Sequence, residues 1–487
     1  MERPGSARCE RVGLGASTEY WENLFMSEQE MISVENLSVE NLGDPLIYPV
    51  DAYISREYAE AEGDRLWSKV WQQAGRVEEI PEVGCYLTYE IGTDSILIVR
   101  TGDDRIKAFH NVCPHRGRRL VSVPKGSNGA RGRTQKFTCG FHAWSFDLEG
   151  NNTFVLDKED WKGALTDSLT CLSEVKVDTW GGWLWINMDP DCIPLHDYLE
   201  PAAGMLDPFQ FEKMRYRFRQ WVVFDCNWKV ALEAFMEPYH VGGTHPQLLK
   251  YGDFYAWSKA QGLHGNDGYD AADEQDEGSA ATTTVHRTGK GADARVMMAQ
   301  MQREFWETVG ASTTQVLVDA AERLVDELPE GTPAAEVHQH WLDSCKADYA
   351  AQGVEWPNIT EEEMARAGLA WHIFPNTSIL QGPVFALYYR VRPFGSDPDK
   401  CIYEAVAIER YAEGQEPATE WVYADPTEEN WRMVIAQDFS NMEEVQQGLK
   451  SRGFRGNLPN PHQERKVSNF HRNLAKYMGS GAPRLLK

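Results

Sequence analysis

Cys113-Pro114-His115-Arg116-Gly117, followed by Cys139-Gly140-Phe141-His142-Ala143-Trp144, is the stretch on which the fold turns. Each half offers one thiolate and one imidazole from a tight loop, and together they make a four-ligand set. Tetrahedral zinc takes two Cys and two His. A [2Fe–2S] cluster can instead take two Cys on one iron and two His on the other. Zinc fingers usually group cysteines in one half and histidines in the other, so Cys-x-His paired with Cys-x-x-His favours the cluster. The residues leading into these loops, Cys85 to Arg100, alternate and are rich in β-branched side chains, as in Ser95-Ile96-Leu97-Ile98-Val99-Arg100. They read as strands.

A second set of donors lies in Glu233-Ala-Phe-Met-Glu237-Pro-Tyr-His240-Val-Gly-Gly-Thr-His245. Two imidazoles and one carboxylate, with coordination positions left open, suit ferrous iron that meets dioxygen. On an unbroken helix, at about 100° per residue, Glu233, Glu237 and His240 share a face, whereas His245 points roughly 140° away from His240. Convergence needs a break, and Gly242-Gly243 is expected to supply it. The zinc-protease pattern His-Glu-x-x-His needs no break, so that reading fails here.

With 487 residues the chain can bury a large core, and its length suggests two to four domains. A net charge of −26 argues against a nucleic-acid partner. No run of eighteen apolar residues is present, so no membrane span is expected. The opening Met-Glu-Arg-Pro-Gly has no apolar core after it, and no secretory signal is expected. Nine cysteines without a disulfide-like framework fit a reducing cytoplasm.

Residues 1–45 are polar, carry the doubled Ser-Val-Glu-Asn-Leu at 33–42, and read as an extension. Ser55 is placed to cap a helix running through Trp71, with Tyr58, Leu66, Trp67, Val70 and Trp71 near one face. Residues 264–295 are acidic and rich in Gly and Ala, as expected of a surface insertion or a lid. Helical patterns follow at Val296–Val309, Gln315–Leu328 and Ala334–Ala350, and from Ala370 the chain turns β-rich. Alternation lets only every second strand residue face a cavity, and Phe374, Asn376 and Phe385 are the expected pocket residues. His372 and His471 read as structural.

From about residue 46 to its C-terminus the chain resembles the large α subunit of a Rieske non-heme iron oxygenase, the family that includes aromatic-ring-hydroxylating dioxygenases. The resemblance implies an α+β architecture: an all-β Rieske [2Fe–2S] domain (76–185) inserted before a larger helix-on-antiparallel-sheet catalytic domain (186–487), with 46–75 a helix packed on the latter. It makes Cys113, His115, Cys139 and His142 the cluster ligands. It makes Asn227-Trp228-Lys229 the entry to the iron helix, and His240, His245 and Asp438 (in Gln437-Asp438-Phe439-Ser440-Asn441) the ligands of a mononuclear Fe(II). Glu237 would bridge its own His240 to His142 of the partner subunit in a head-to-tail trimer.

The resemblance further implies a terminal oxygenase fed by an NAD(P)H-dependent flavoprotein reductase, directly or through a ferredoxin, as a homotrimer or, with a small β subunit, an α3β3 assembly. Its expected activity is hydroxylation or cis-dihydroxylation of a hydrophobic, aromatic or polycyclic compound, as in aromatic hydrocarbon catabolism. The alternative is oxidative O- or N-demethylation or quaternary-amine hydroxylation. Four departures stand out: Gly140 and Ala143 where Pro and Gly are common; a long His115–Cys139 segment with Gly126, Gly129 and Gly132; Glu237 where ring dihydroxylases commonly have Asp and amine-oxidising members often have Glu; and Ala234 where Asn is common.

Overall fold

The computed structural model describes residues 38–251, 255–269 and 293–486. Most of the N-terminal extension and the acidic stretch 270–292 lie outside the described residues. Two antiparallel sheets organise the rest. The first has seven strands in the spatial order Gln72–Arg76, Trp183–Asn187, Glu174–Trp180, Arg105–His110, Asp94–Gly102, Cys85–Ile91, Arg131–Arg133. A small three-stranded sheet (Phe137–Thr138, Ser145–Phe146, Asn152–Phe154) stands beside it and carries the second Cys/His loop. Gln72–Arg76 is thus already a strand of this sheet, whereas Arg56–Glu62 and the π-turn Gly63–Trp67 precede it.

The second sheet has eight strands, in the order Ala256–Gln261, His264–Tyr269, Ala370–Ile373, Thr377–Gln381, Phe385–Phe394, Asp397–Glu409, Arg215–Phe224, Trp421–Tyr423. Only the last pairing is parallel. His264–Tyr269, expected to open the acidic insertion, is instead a fully integrated strand paired with Ala370–His372. Its glycines and Asn266 are tolerated because backbone pairing on both sides and burial replace side-chain propensity.

The central strand Phe385–Phe394 is buried on both faces, and alternation assigns those faces different jobs. Tyr389 meets Phe235, just past the helix Trp228–Glu233, with ring centroids 4.3 Å apart. Arg390 and Arg392 look toward the seven-stranded sheet and share the carboxylate of Glu404, with Arg390 Nε 2.5 Å and Arg392 Nε 3.2 Å from Oε2. Arg390 also donates to the carbonyl of Gln73 (2.8 Å), and Arg392 to the side-chain oxygen of Asn128 (2.5 Å). Burial opposes ionisation of Glu404, but the two guanidiniums outweigh it and lower its pKa to about 2.

Asn128 belongs to the long His115–Cys139 segment, whose strand Arg131–Arg133 pairs with Cys85–Leu87. Gly129 sits at φ +86°, where a Cβ would fall 2.6 Å from the carbonyl oxygen of Thr88, so the turn that delivers Asn128 requires glycine. The segment is therefore a tie between the two sheets.

A second buried ion pair anchors the N-terminal helix. Lys229 Nζ lies 2.5 Å from Glu62 Oε1, and the indole of Trp228 donates to Glu62 Oε2 at 2.9 Å. With both charges at most 1 % exposed, removing either partner would strand the other in an apolar setting. No described helix is long and apolar enough to cross a membrane.

Candidate functional site

The two Cys/His loops face each other at the tip of the all-β region. In the first, the amide of Cys113 donates to the carbonyl of Arg118 (2.8 Å) and that of Gly117 to the carbonyl of Cys113 (3.0 Å). In the second, the amide of Cys139 donates to Trp144 (2.8 Å) and that of Ala143 to Cys139 (3.0 Å). The loops are near copies. Gly117 takes the left-handed conformation at φ +73°, and Ala143 does so at φ +58° at the strain cost of a Cβ.

The rings of His115 and His142 are 4.6 Å apart at 70°, and His115 stacks on Trp144 at 4.9 Å. Amides of His115 and Arg116 point at the Cys113 sulfur, and amides of Phe141 and His142 at that of Cys139. Burial pushes the Cys113 thiol up. At Cys139 the burial penalty is outweighed by those amides and by Arg118, so its pKa is lowered.

Nδ1 of His142 is buried without a hydrogen-bond partner, as a nitrogen reserved for a metal would be. Among the described residues, only His240, His245 and Asp438 bring three or more ligand atoms within 4.8 Å of one another. The cluster-loop donors do not converge in that way, although a single tetrahedral zinc would hold them about 3.3–3.8 Å apart. The donor chemistry and spread fit two irons better than one zinc.

The second donor set is assembled by three segments. Asn227 caps the helix Trp228–Glu233, its side-chain oxygen accepting from the amide of Lys229 at 3.1 Å. The expected break comes earlier than Gly242-Gly243. The helix ends at Glu233, residues 234–240 form turns, and both glycines lie inside the short helix Val241–Thr244. Pro238 accounts for this, because proline has no amide to donate and excludes its predecessor from helical geometry. His240 and His245 then flank the short helix as its two end residues, with rings 5.3 Å apart at 77°.

Asp438, from the helix Met433–Leu449, completes the set: its Oδ1 is 2.9 Å from His245 Nε2 and 3.4 Å from His240 Nε2. The far nitrogens are also held. His240 Nδ1 meets Glu237 Oε1 at 2.8 Å, while Glu237 Oε2 accepts from the His240 amide at 3.0 Å. His245 Nδ1 meets Gln437 Oε1 at 2.8 Å. Burial would lower the His240 pKa, but Glu237 and Asp438 outweigh it and raise it. Both Nε2 atoms thus face the same carboxylate oxygen, an arrangement suited to one ion with open coordination positions.

Two cavities meet at this point. The larger, about 460 Å³, is mostly apolar and includes Phe235, Met301, Phe305, Leu380, Phe385 and Tyr389. The smaller, about 360 Å³, lies on the side of Glu233, Glu237 and Glu464 and is rimmed by Val445 and Leu458. Burial, with Glu237 nearby, pushes the Glu464 carboxyl up to about 7.

Of the three expected pocket residues, Phe385 lines the large cavity and the other two do not. Phe374 and Asn376 fall in the turn between Ala370–Ile373 and Thr377–Gln381, not on a cavity-facing strand. Phe374 stacks on Tyr477 (5.6 Å), and the Asn376 side chain donates to the carbonyl of Val391 (2.9 Å). His372 is buried and neutral, its pKa lowered to about 3 by burial.

His471, which has no evident partner in the sequence, has two in the fold: Glu233 Oε1 at 2.8 Å and the Tyr53 hydroxyl at 2.6 Å. Glu233 is accordingly a held carboxylate, not a solvated one. Sequence reasoning also missed Gln437, although its position beside Asp438 was the available signal, and it missed Asp267 and Gln381 in the cavity wall.

Two family models match the chain: a Rieske [2Fe-2S] domain over residues 70–156 and a ring hydroxylating alpha subunit (catalytic domain) over residues 211–480. The glycine betaine monooxygenase oxygenase subunit of Pseudomonas aeruginosa is 31% identical over 203 residues, 42% of this chain and 45% of that one. The chain thus matches less than half the length of that relative. A quaternary ammonium Rieske monooxygenase solved with L-carnitine superposes with a TM-score of 0.60 at 18% identity, covering 92% of this chain and 99% of that one. Naphthalene 1,2-dioxygenase with bound indole superposes with a TM-score of 0.58 at 20% identity, covering 93% and 96%. At such identities the superpositions speak to the fold alone. Since the catalytic-domain match spans more than half of the sequence, the chain belongs to the ring-hydroxylating alpha-subunit family of Rieske oxygenase large subunits, whose cofactors are a Rieske [2Fe–2S] cluster and a mononuclear iron.

Proposed function

We propose that the protein is the terminal oxygenase of a multicomponent system and hydroxylates a largely apolar organic compound at the expense of dioxygen. The observation that carries this reading is the convergence of His240, His245 and Asp438 on the wall of the apolar cavity. Cys113, Cys139, His115 and His142 would hold the cluster, and the trio would hold Fe(II). When bound, the cluster stores an electron from an external donor and the iron presents dioxygen to substrate. The protein's own part is geometric: Glu237 and Gln437 fix the imidazoles, Asp438 is held between them, and the apolar wall excludes water from the substrate face.

Electrons would come from an NAD(P)H-dependent flavoprotein reductase, directly or through a ferredoxin. A head-to-tail homotrimer, alone or with β subunits, is supported by surface chemistry. Phe141 is 54 % exposed beside Arg116 at the cluster tip, while Glu233, Glu237 and Glu464 gather behind the iron site with exposed Val445 and Leu458 at the rim. In this reading the two surfaces meet across the subunit boundary, and Glu237 joins its own His240 to His142 of the partner subunit.

A second reading, oxidation of an N-methyl or O-methyl group, is favoured by Glu237 and by the betaine-oxidising relative. Turnover under ¹⁸O₂ with a compatible reductase tests both. Two labelled oxygens in a cis-diol support ring dihydroxylation, one labelled hydroxyl supports monohydroxylation, and released formaldehyde supports demethylation. Product without label and without released formaldehyde would refute the oxygenase reading.

A further inference from the structure

Strand register puts one unpaired hydroxyl on the wall of the large cavity. Cross-strand partners share a sheet face, and the pairs are Asp267 with Ala370, Ala370 with Leu380 and Leu380 with Leu387. Asp267, Ala370, Leu380, Phe385 and Tyr389 therefore lie on the same face, and all five line the cavity. Tyr389 is 3 % exposed, its ring packed on Phe235 at 4.3 Å and on Tyr403 at 5.7 Å. Among the described residues nothing hydrogen-bonds its hydroxyl. The hydroxyl of Tyr403 is equally unpaired but sealed, whereas that of Tyr389 is open to the cavity.

The carboxylates bordering the cavity are already engaged. Glu237 is bonded to the His240 ring and amide, Asp267 is paired with buried Lys466, and Asp438 stands between the two imidazoles. Gln381 borders the cavity, but alternation turns its side chain to the face opposite that of Leu380 and Tyr389. Two more hydroxyls, of Tyr269 and Ser312, line the cavity as well. Burial, and after it the Asp438 carboxylate, hold the Tyr389 phenol well above its ordinary value, so it keeps its proton and meets the cavity as a donor. Asp438 is the charged group that acts on it, which sets the hydroxyl toward the metal end.

Resting on the oxygenase reading, we propose that the natural substrate is a largely apolar molecule carrying an ether or carbonyl oxygen, and that this oxygen accepts from the Tyr389 hydroxyl. An enclosed donor left unpaired costs free energy that an acceptor-bearing ligand restores and a plain hydrocarbon does not. The bond also sets which end of the substrate lies against His240, His245 and Asp438. Tyr389 is a specificity-determining residue in this account.

The test is anaerobic binding to the iron-loaded protein, followed by calorimetry, with four probes sharing one body: 4-ethylanisole, 4-ethylacetophenone, 1,4-diethylbenzene and, as a cation that can only donate, 4-ethylbenzylamine. Tyr389→Phe removes one oxygen that has no partner in the protein and keeps the ring. It should weaken one or both acceptor probes by about five- to tenfold and leave the hydrocarbon and the ammonium within about twofold. Which acceptor probe loses more separates ether from carbonyl substrates. Infrared spectra supply a second readout: the carbonyl stretch of bound 4-ethylacetophenone should lie lower than in cyclohexane and move back up in Tyr389→Phe.

Equal affinity of the two proteins for both acceptor probes, no measurable binding of either to the unmodified protein, or a larger loss for the ammonium would overturn the proposal. So would a bound ketone whose stretch is no lower than in cyclohexane, a measurement on the unmodified protein that stands even if the variant does not fold. Iron content, measured on the same samples, keeps the two readings apart. A protein that binds iron but ignores the acceptor refutes only the substrate assignment, whereas one that takes up no iron refutes the oxygenase.

Discussion

Gln437 Oε1 lies 2.8 Å from Nδ1 of His245 and also accepts from Gln247 Nε2 at 2.8 Å. The amide of Gln247 can only donate there, so the Gln437 atom is an acceptor and His245 must carry its proton on Nδ1. The lone pair is thereby left on Nε2, the nitrogen facing Asp438. Replacing Gln437 with Leu removes this choice of tautomer, and iron affinity should fall by about 10- to 100-fold. Chelator competition on purified protein measures it.

His240→Ala should empty the mononuclear site and leave the cluster's reddish-brown colour. Metal analysis should then show two irons per subunit instead of three, with the visible spectrum retained. An unchanged iron content would mean that the ligand assignment is wrong.

Glu237→Gln keeps an acceptor for His240 but removes the charge proposed to join it to His142 of the partner subunit. Both metals should remain bound while single-turnover product formation from reduced protein falls by at least about a hundredfold, on the scale of losing a positioned group. Normal product yield with full metal content would remove the bridge from consideration.

Glu404 makes a pH prediction with a definite sign. Its pKa is lowered to about 2 in the fold against an ordinary value near 4.5, so the stability it contributes is complete above about 4.5 and is lost as pH falls toward 2. Glu404→Gln leaves Arg390 and Arg392 without their shared carboxylate and should cost about 3–5 kcal/mol near neutrality. Between pH 4.5 and 2 its stability should also fall less steeply than that of the unmodified protein, by up to about 1.4 kcal/mol per pH unit. Urea unfolding across that range reads both effects.

Much of the candidate site was legible because ligand chemistry demands particular residue types at short spacing. The Cys113–His115 and Cys139–His142 pairs each sit in one loop, and His240 and His245 flank one turn of helix. The break expected between those histidines lies before them instead, at residues 234–240 around Pro238, and Gly242-Gly243 fall inside the helix Val241–Thr244. The cavity wall was not legible. Phe374 and Asn376 have the strand-like look of Phe385, but whether a residue falls in a turn or on a strand, and on which face, depends on register with neighbouring strands. Asp267 was hidden because its segment reads as an acidic insertion, and only pairing with Ala370–His372 makes it part of the sheet.

The sequence by itself determined the two donor sets and the kinship they imply, since those depend on chemistry encoded within a few residues. Only the tertiary structure decided what surrounds them: Glu233 held by Tyr53 and His471, Gln437 behind His245, and Glu404 between two arginines. These relationships join residues far apart in the chain, and they exist only because strand register and helix packing bring specific faces together.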